Sequence, residues 1–114
     1  MASKKLKEIC SALGAEVHAP GDADVLVDRV AVCDVLSFVL GTDTCGAAWV
    51  TVQTHLNVAA VAAQKGIPMV ILASGRAPAD DLAARCRAEN IALVTSRASM
   101  FETCLALGRL GLTG

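Results

Sequence analysis

Four short polar stretches of the sequence hold the residue types that bind anions. Each stretch follows an apolar run that predicts a β-strand, and together they contain arginines, hydroxyl side chains and one histidine. Arginine binds a phosphate or carboxylate through two parallel hydrogen bonds, and helix N-termini supply free N–H groups. The stretches are Cys33-Asp34, Gln53-Thr54-His55, Ser74-Gly75-Arg76 and Thr95-Ser96-Arg97.

These stretches predict a ligand site at one edge of a sheet. In a parallel sheet the carboxyl ends of the strands lie together, beside the first turns of the following helices. Gly75 would allow a ligand to approach the backbone closely, and Arg76 could bind a carboxylate or phosphate. We therefore expect a small anionic ligand, a metabolite or a nucleotide. The predicted ligand-binding residues are Thr54, His55, Ser74, Gly75, Arg76, Thr95 and Ser96. The alternative interpretation is that Asp34, Thr54 and Ser96 serve only as helix caps.

The two histidines and five cysteines are scattered through the sequence without a CxxC pair. Structural zinc sites use ligands paired at short spacing, so we predict no metal, and no other cofactor. Three cysteines fall on the apolar faces of predicted helices and are expected in the core: Cys10, Cys86 and Cys104. His18 is expected at the surface.

Cys33 differs from the other cysteines because it precedes a predicted helix start, where the helix dipole favours a thiolate. The alternative hypothesis is therefore that the chain is a small enzyme or a redox-active protein that uses Cys33 or His55. The motifs GxxxxGK[ST], GxGxxG, GxSxG and HExxH are absent from the sequence. Without a phosphate cradle and its lysine, phosphoryl transfer lacks its main parts, and we predict a protein that is not an enzyme.

The elements that must position these residues follow from hydrophobic periodicity. Strands are predicted at residues 16–19, 27–33, 48–52, 67–73 and 91–95. Helices are predicted from a cap at Ser3 to Gly14, from Asp34 to Gly41, at 56–65 after a cap at Thr54, at 79–89, and from Ser96 or Ser99 onward. Strand and helix alternate at spacings of about 20 residues, which predicts a mainly parallel sheet in a three-layer α/β fold with helices on both faces. Residues 1–114 are expected to form a single domain.

Composition excludes several classes of protein. With 54% hydrophobic and 18% charged residues the chain is too apolar to be disordered. A net charge of -1 and 3% aromatic residues do not suit nucleic-acid binding. Neither a signal peptide nor an apolar run of about 20 residues is present, which predicts a cytoplasmic protein with reduced thiols and no membrane contact. The high apolar fraction predicts self-association, as a homodimer.

Four apolar segments together carry a resemblance to a known family: residues 27–32, residues 48–52 with the following residues 58–60, residues 66–75 with Pro78, and residues 91–95 followed by residues 99–103. They resemble the DRTGG domain family, which is similar to the N-terminal domain of the HPr kinase/phosphorylase. The family places Gly-Asp-Arg after the third strand and Thr-Gly-Gly after the fourth, where this sequence has Gln53-Thr54-His55 and Ala73-Ser74-Gly75. The resemblance implies a regulatory or ligand-sensing module that associates with itself and acts as a small partner protein.

Overall fold

Seven strands and five helices succeed one another in the structure, a computed structural model that describes residues 3–114. The strands are β1 (Lys4–Lys5), β2 (Glu16–Ala19), β3 (Leu26–Val27), β4 (Val30–Val32), β5 (Ala48–Thr51), β6 (Met69–Leu72) and β7 (Ala92–Thr95). The helices are α1 (Leu6–Leu13), α2 (Leu36–Leu40), α3 (Asn57–Lys65), α4 (Asp80–Ala88) and α5 (Met100–Arg109).

Five of the strands form the central sheet, in the order β2-β7-β6-β5-β4. Strands β4 to β7 run parallel, and β2 joins β7 in the antiparallel direction. A separate antiparallel pair joins β1 to β3. The predicted α/β fold with a mainly parallel sheet is confirmed.

Successive strand residues point to opposite faces of the sheet, and each face carries its own apolar core. On one face Trp49 and Leu93 pack with α2, α3 and α4. On the other face Val50 and Val94 pack with α1 and α5. All of β6 is buried, as its continuous apolar run predicts for a strand covered on both sides.

The helices between the parallel strands all lie on one face. The chain passes from β4 to β5, β6 and β7 in spatial order, and the connecting helices α2, α3 and α4 share one core. A ligand crevice in an open α/β sheet forms where the strand order reverses and successive helices leave to opposite faces. Along residues 30–95 the order does not reverse, so the carboxyl ends of these strands form no such crevice.

Two local predictions from the first third of the sequence are wrong. Helix α1 follows Lys5 rather than a cap at Ser3, and the Lys5 N–H donates to the Glu8 carboxylate over 3.1 Å. The strand predicted at residues 27–33 is divided into β3 and β4, because the two halves pair with different sheets. Gly14 does end α1, with a left-handed φ of 57°. None of the helices within residues 3–114 is long and apolar enough to cross a bilayer.

Candidate functional site

The hydroxyl group of Thr95 joins three segments at the carboxyl end of β7. It donates to the backbone carbonyl of Arg76 over 2.8 Å and lies 2.8 Å from Nε2 of His18. A hydroxyl has one proton, and here that proton goes to the carbonyl, so the His18 ring must donate from Nε2. The side chain of Thr95 is therefore buried and already occupied by contacts within the chain.

His18, expected at the surface, is half-buried: its ring contacts Thr95, and the residue lines an open groove of the surface. The pairing of β2 with β7 shifts register between Val17 and Ala19, which marks a β-bulge at His18. A bulge adds one residue to a strand and changes the direction of its side chain. No residue type in this stretch of the sequence predicts a bulge. The Arg87 guanidinium donates to the His18 carbonyl over 3.0 Å and holds the bulge against α4.

A tight turn at residues 73–76 occupies the centre of the predicted site. Ser74 and Gly75 have positive φ angles of 61° and 66°, and the Arg76 N–H donates to the Ala73 carbonyl over 3.3 Å. The N–H of Ser74 donates to the Ala98 carbonyl over 2.7 Å. The N–H of Gly75 donates to a carbonyl of the same neighbouring loop, that of residue 96, over 2.9 Å. The backbone donors of this turn are therefore used within the chain rather than free to bind an anion.

Ser96 does not cap α5, so that interpretation is wrong. Its hydroxyl lies 2.9 Å from the hydroxyl of Thr103, and both side chains are buried. The cap is Ser99, whose Oγ accepts a hydrogen bond from the Glu102 N–H over 3.1 Å. Ser96 thus anchors the loop after β7 to α5 and is closed to solvent.

Thr54 does not cap α3 either. The residue before that helix is Leu56, and no side chain caps it. The Thr54 carbonyl accepts a hydrogen bond from the Ala79 N–H over 3.1 Å, which ties the end of β5 to the start of α4. His55, next in sequence, is exposed.

Hydrogen bonds to Asp34, which the sequence does not reveal, join the ends of β4 and β5. Oδ1 of Asp34 accepts hydrogen bonds from the Thr51 hydroxyl over 2.8 Å and from the Val52 N–H over 2.9 Å. The side-chain amide of Gln53 donates to the Asp34 carbonyl over 3.0 Å. Helix α2 follows Val35 and has no side-chain cap, so the cap interpretation is wrong for Asp34 as well.

The cysteines lie apart from one another as free thiols. Burial raises the pKa of the Cys86 thiol to about 11 and also raises the pKa values of Cys10 and Cys104. Cys33 Sγ accepts a hydrogen bond from the Val35 N–H over 3.3 Å. Among residues 3–114 no hydrogen bond joins Cys33 to His55, and no group of three His, Cys, Asp or Glu side chains could hold a metal ion.

The part of the predicted site that faces solvent consists of side chains. His55, Ser74 and Arg76 are exposed, and so is the neighbouring Arg97. Three grooves of about 160, 240 and 530 Å³ open on the described surface, and none of the seven predicted ligand-binding residues lines them. Cys33 lines the first groove and His18 the third. The structure thus brings the predicted residues to the carboxyl ends of the parallel strands, where Thr95 and Ser96 are buried. The exposed residues His55, Ser74 and Arg76, with Arg97, form a basic rim rather than a pocket.

Comparisons with known proteins agree with this architecture. No protein-family model matches the sequence. No curated protein matches it either. Among solved structures, the chain is similar to the CBS and DRTGG domains of the regulatory region of a Clostridium perfringens pyrophosphatase, crystallised in complex with its activator, diadenosine tetraphosphate.

That similarity has a TM-score of 0.78 and covers 93% of this chain at 15% sequence identity. The chain spans 46% of the length of the pyrophosphatase regulatory chain. At this level of identity the likeness shows a related fold, in agreement with the fold that the sequence resemblance implies.

Proposed function

We propose that this chain is a non-catalytic regulatory module that senses a small anionic ligand, a metabolite or a nucleotide. The observation that carries the proposal is the fold: 93% of the chain superposes on a regulatory region that was crystallised with a dinucleotide activator. The sequence resemblance to the DRTGG domain family supports the same conclusion, and we infer that the chain is a divergent relative of that family. The module associates with itself and acts as a small partner protein in the cytoplasm, where free thiols such as those of this chain persist.

The ligand binds through side chains at the exposed rim. Arg76 and His55 offer donors to a phosphate or carboxylate, and Arg97 lies on the loop that is hydrogen-bonded to the 73–76 turn. Because the turn's own N–H groups are satisfied internally, it presents Arg76 on a fixed backbone. A charged guanidinium on such a support binds an oxyanion through paired hydrogen bonds.

Ligand-dependent melting tests the proposal. The panel contains ATP, diadenosine tetraphosphate, inorganic phosphate and phosphorylated sugars. A ligand at 100 times its Kd stabilises the folded state by about 2.7 kcal/mol, which raises the Tm by about 10 °C for a chain of this size. Arg76→Ala should abolish the shift, while the matched control Arg109→Ala, an exposed arginine at the end of α5, should preserve it.

Two outcomes contradict the proposal in different ways. If no compound in the panel raises the Tm of the wild-type protein by more than 1 °C or so at millimolar concentration, the ligand-sensing role is wrong. If a compound binds but its chemical-shift footprint lies away from residues 54–55, 74–76 and 95–97, the role stands and the placement at the rim is wrong.

A further inference from the structure

The groove of about 530 Å³ lies between α4 and the edge strand β2. Helix α4 lines it with Asp80, Ala83 and Arg87, whose spacing of three and four residues places them on one face of the helix. The rest of the lining comes from β2 and from the loop after the 73–76 turn: Val17, His18, Ala77 and Pro78. Small-molecule sites usually have volumes of about 300–1,000 Å³, so this groove is large enough to hold a small molecule.

Hydrogen bonds hold the walls of the groove in place. The Arg87 guanidinium donates to the His18 carbonyl over 3.0 Å and ties α4 to β2. The Thr95 hydroxyl lies 2.8 Å from Nε2 of His18 and donates to the Arg76 carbonyl over 2.8 Å, which ties β2 to the loop before α4. A bulge such as the one at His18 is over-represented beside functional sites. Because the walls are fixed in advance, a ligand binds without a large cost in conformational entropy.

The groove holds one acidic and one basic side chain that do not pair with each other. Asp80 and Arg87 are seven residues apart, which is about 10 Å along the helix axis. Within residues 3–114 no ion pair includes either of them. The His18 carbonyl uses one of the five N–H donors of the guanidinium, and four remain. Two opposite charges with free hydrogen-bonding capacity therefore line one groove.

Such a lining suits a ligand that carries both charges. A guanidinium binds a carboxylate through two parallel hydrogen bonds, and a carboxylate binds an ammonium group. A phosphate would be attracted by Arg87 and repelled by Asp80, whereas a zwitterion is attracted by both. The other lining residues are mostly apolar, and Val17 is 51% exposed, so an apolar body on the ligand would remove this side chain from water.

We propose that this groove binds a free apolar amino acid, with its carboxylate on Arg87 and its ammonium group on Asp80. The side chain of the ligand lies against Val17 and Pro78. This inference goes beyond the proposed function, because it adds a second ligand whose charges differ from those of the anion at the rim.

Isothermal titration calorimetry of the purified protein tests the site. The probes are L-valine, L-leucine, L-isoleucine and L-methionine, each titrated separately. The tightest binder is then compared with its amide, which lacks the negative charge, and with its N-acetyl derivative, which lacks the positive charge.

Helix α4 supplies a matched control for each variant. Asp80→Asn is compared with Asp81→Asn, since both carboxylates are in the first turn and only Asp80 lines the groove. Arg87→Gln is compared with Arg85→Gln, since Arg85 does not line the groove and donates to Glu89 instead.

At least one of the four amino acids should bind with a Kd below about 1 mM. Asp80→Asn and Arg87→Gln should each raise that Kd at least tenfold, roughly, because each removes a charge-assisted hydrogen bond. Asp81→Asn and Arg85→Gln should leave it unchanged. The amide and the N-acetyl derivative should bind the wild type more weakly by a similar factor.

The inference is overturned if none of the four amino acids binds at about 10 mM, or if Asp80→Asn leaves the Kd unchanged. If Arg87→Gln also disturbs the fold, as judged by circular dichroism, Asp80→Asn decides alone, since no ion pair within residues 3–114 depends on Asp80. Arg76→Ala separates this site from the rim, because it should leave the Kd of the amino acid unchanged. A protein that binds an amino acid but no anion of the melting panel contradicts the proposed function and leaves this site standing.

Discussion

Two glycines with the same backbone conformation offer a sharp test of how tightly the sheet is packed. Gly14 and Gly21 have φ angles of 57° and 59°, a region that glycine adopts without strain and alanine does not. A Cβ added at Gly14 meets nothing within 4 Å. A Cβ added at Gly21 lies 2.7 Å from the backbone nitrogen of Ala92, at the start of β7. Both substitutions therefore carry the cost of a positive φ, and only Gly21→Ala also carries the cost of a steric overlap.

The magnitudes follow from these two terms. A left-handed conformation costs an alanine about 1–2 kcal/mol, so Gly14→Ala should lower the free energy of unfolding by about that amount. Gly21→Ala adds an overlap with the backbone of a buried strand, which cannot move like the end of a flexible side chain. Overpacking of this kind costs about a further 1–3 kcal/mol. We expect Gly21→Ala to be the more destabilising by about 2 kcal/mol.

Urea unfolding followed by the fluorescence of Trp49 measures the difference. Trp49 is fully buried and is the one tryptophan of the sequence, so its emission reports exposure of the core on α2, α3 and α4. With a slope of about 2 kcal/mol per molar urea, the midpoints of the two variants should differ by about 1 M. Equal midpoints would refute the reasoning, because they would mean that the segment at Gly21 can move away from β7 at no cost.

Three other measurements follow from the structure. Asp34→Ala should lower the free energy of unfolding by about 2–3 kcal/mol, because it leaves the fully buried Thr51 hydroxyl without its acceptor. The control Asp43→Ala removes an 80% exposed carboxylate and should lower it by at most about 1 kcal/mol. Similar urea midpoints for the two variants would contradict this prediction. Burial raises the pKa of the Cys86 thiol from 9.0 to about 11, so this thiol ionises at lower pH in the unfolded chain than in the folded protein. The free energy of unfolding should therefore fall between these two pH values, and Cys86→Ala should reduce that fall. In mass-spectrometric alkylation the exposed Cys45 should react well before Cys86, and simultaneous labelling of native protein would speak against the buried position of the latter.

The fold could be predicted because its signals are local. The apolar run that becomes β6 identifies a strand covered on both faces, and Gly14 and Ser99 lie at helix ends that their own sequence neighbours define. The alternation of strands and helices then implies a parallel sheet.

The site could be predicted only as a set of positions, because what its groups do depends on partners distant in sequence. An aspartate between a strand and a helix is typical of an N-cap, yet Asp34 bonds to Thr51 and Val52 across the sheet. The turn at Ser74 and Gly75 contains suitable residues for an anion cradle, but the loop after β7 accepts its hydrogen bonds. Neither set of hydrogen bonds can be recognised from the spacing of residues in the sequence.

The helical layer formed by α1 and α5 has a consequence for the order in which the protein can fold during synthesis. Leu6 and Ile9, from the beginning of the described chain, share one apolar core with Leu107 and Leu112 near its end. The face that carries α2, α3 and α4 can close once β7 has emerged from the ribosome, while the opposite face must wait for α5. Until then Val94 and its neighbours on that face lack the cover of α5. The segment from α5 to Leu112 thus decides when the apolar residues on this face of the sheet are covered and no longer prone to non-specific association.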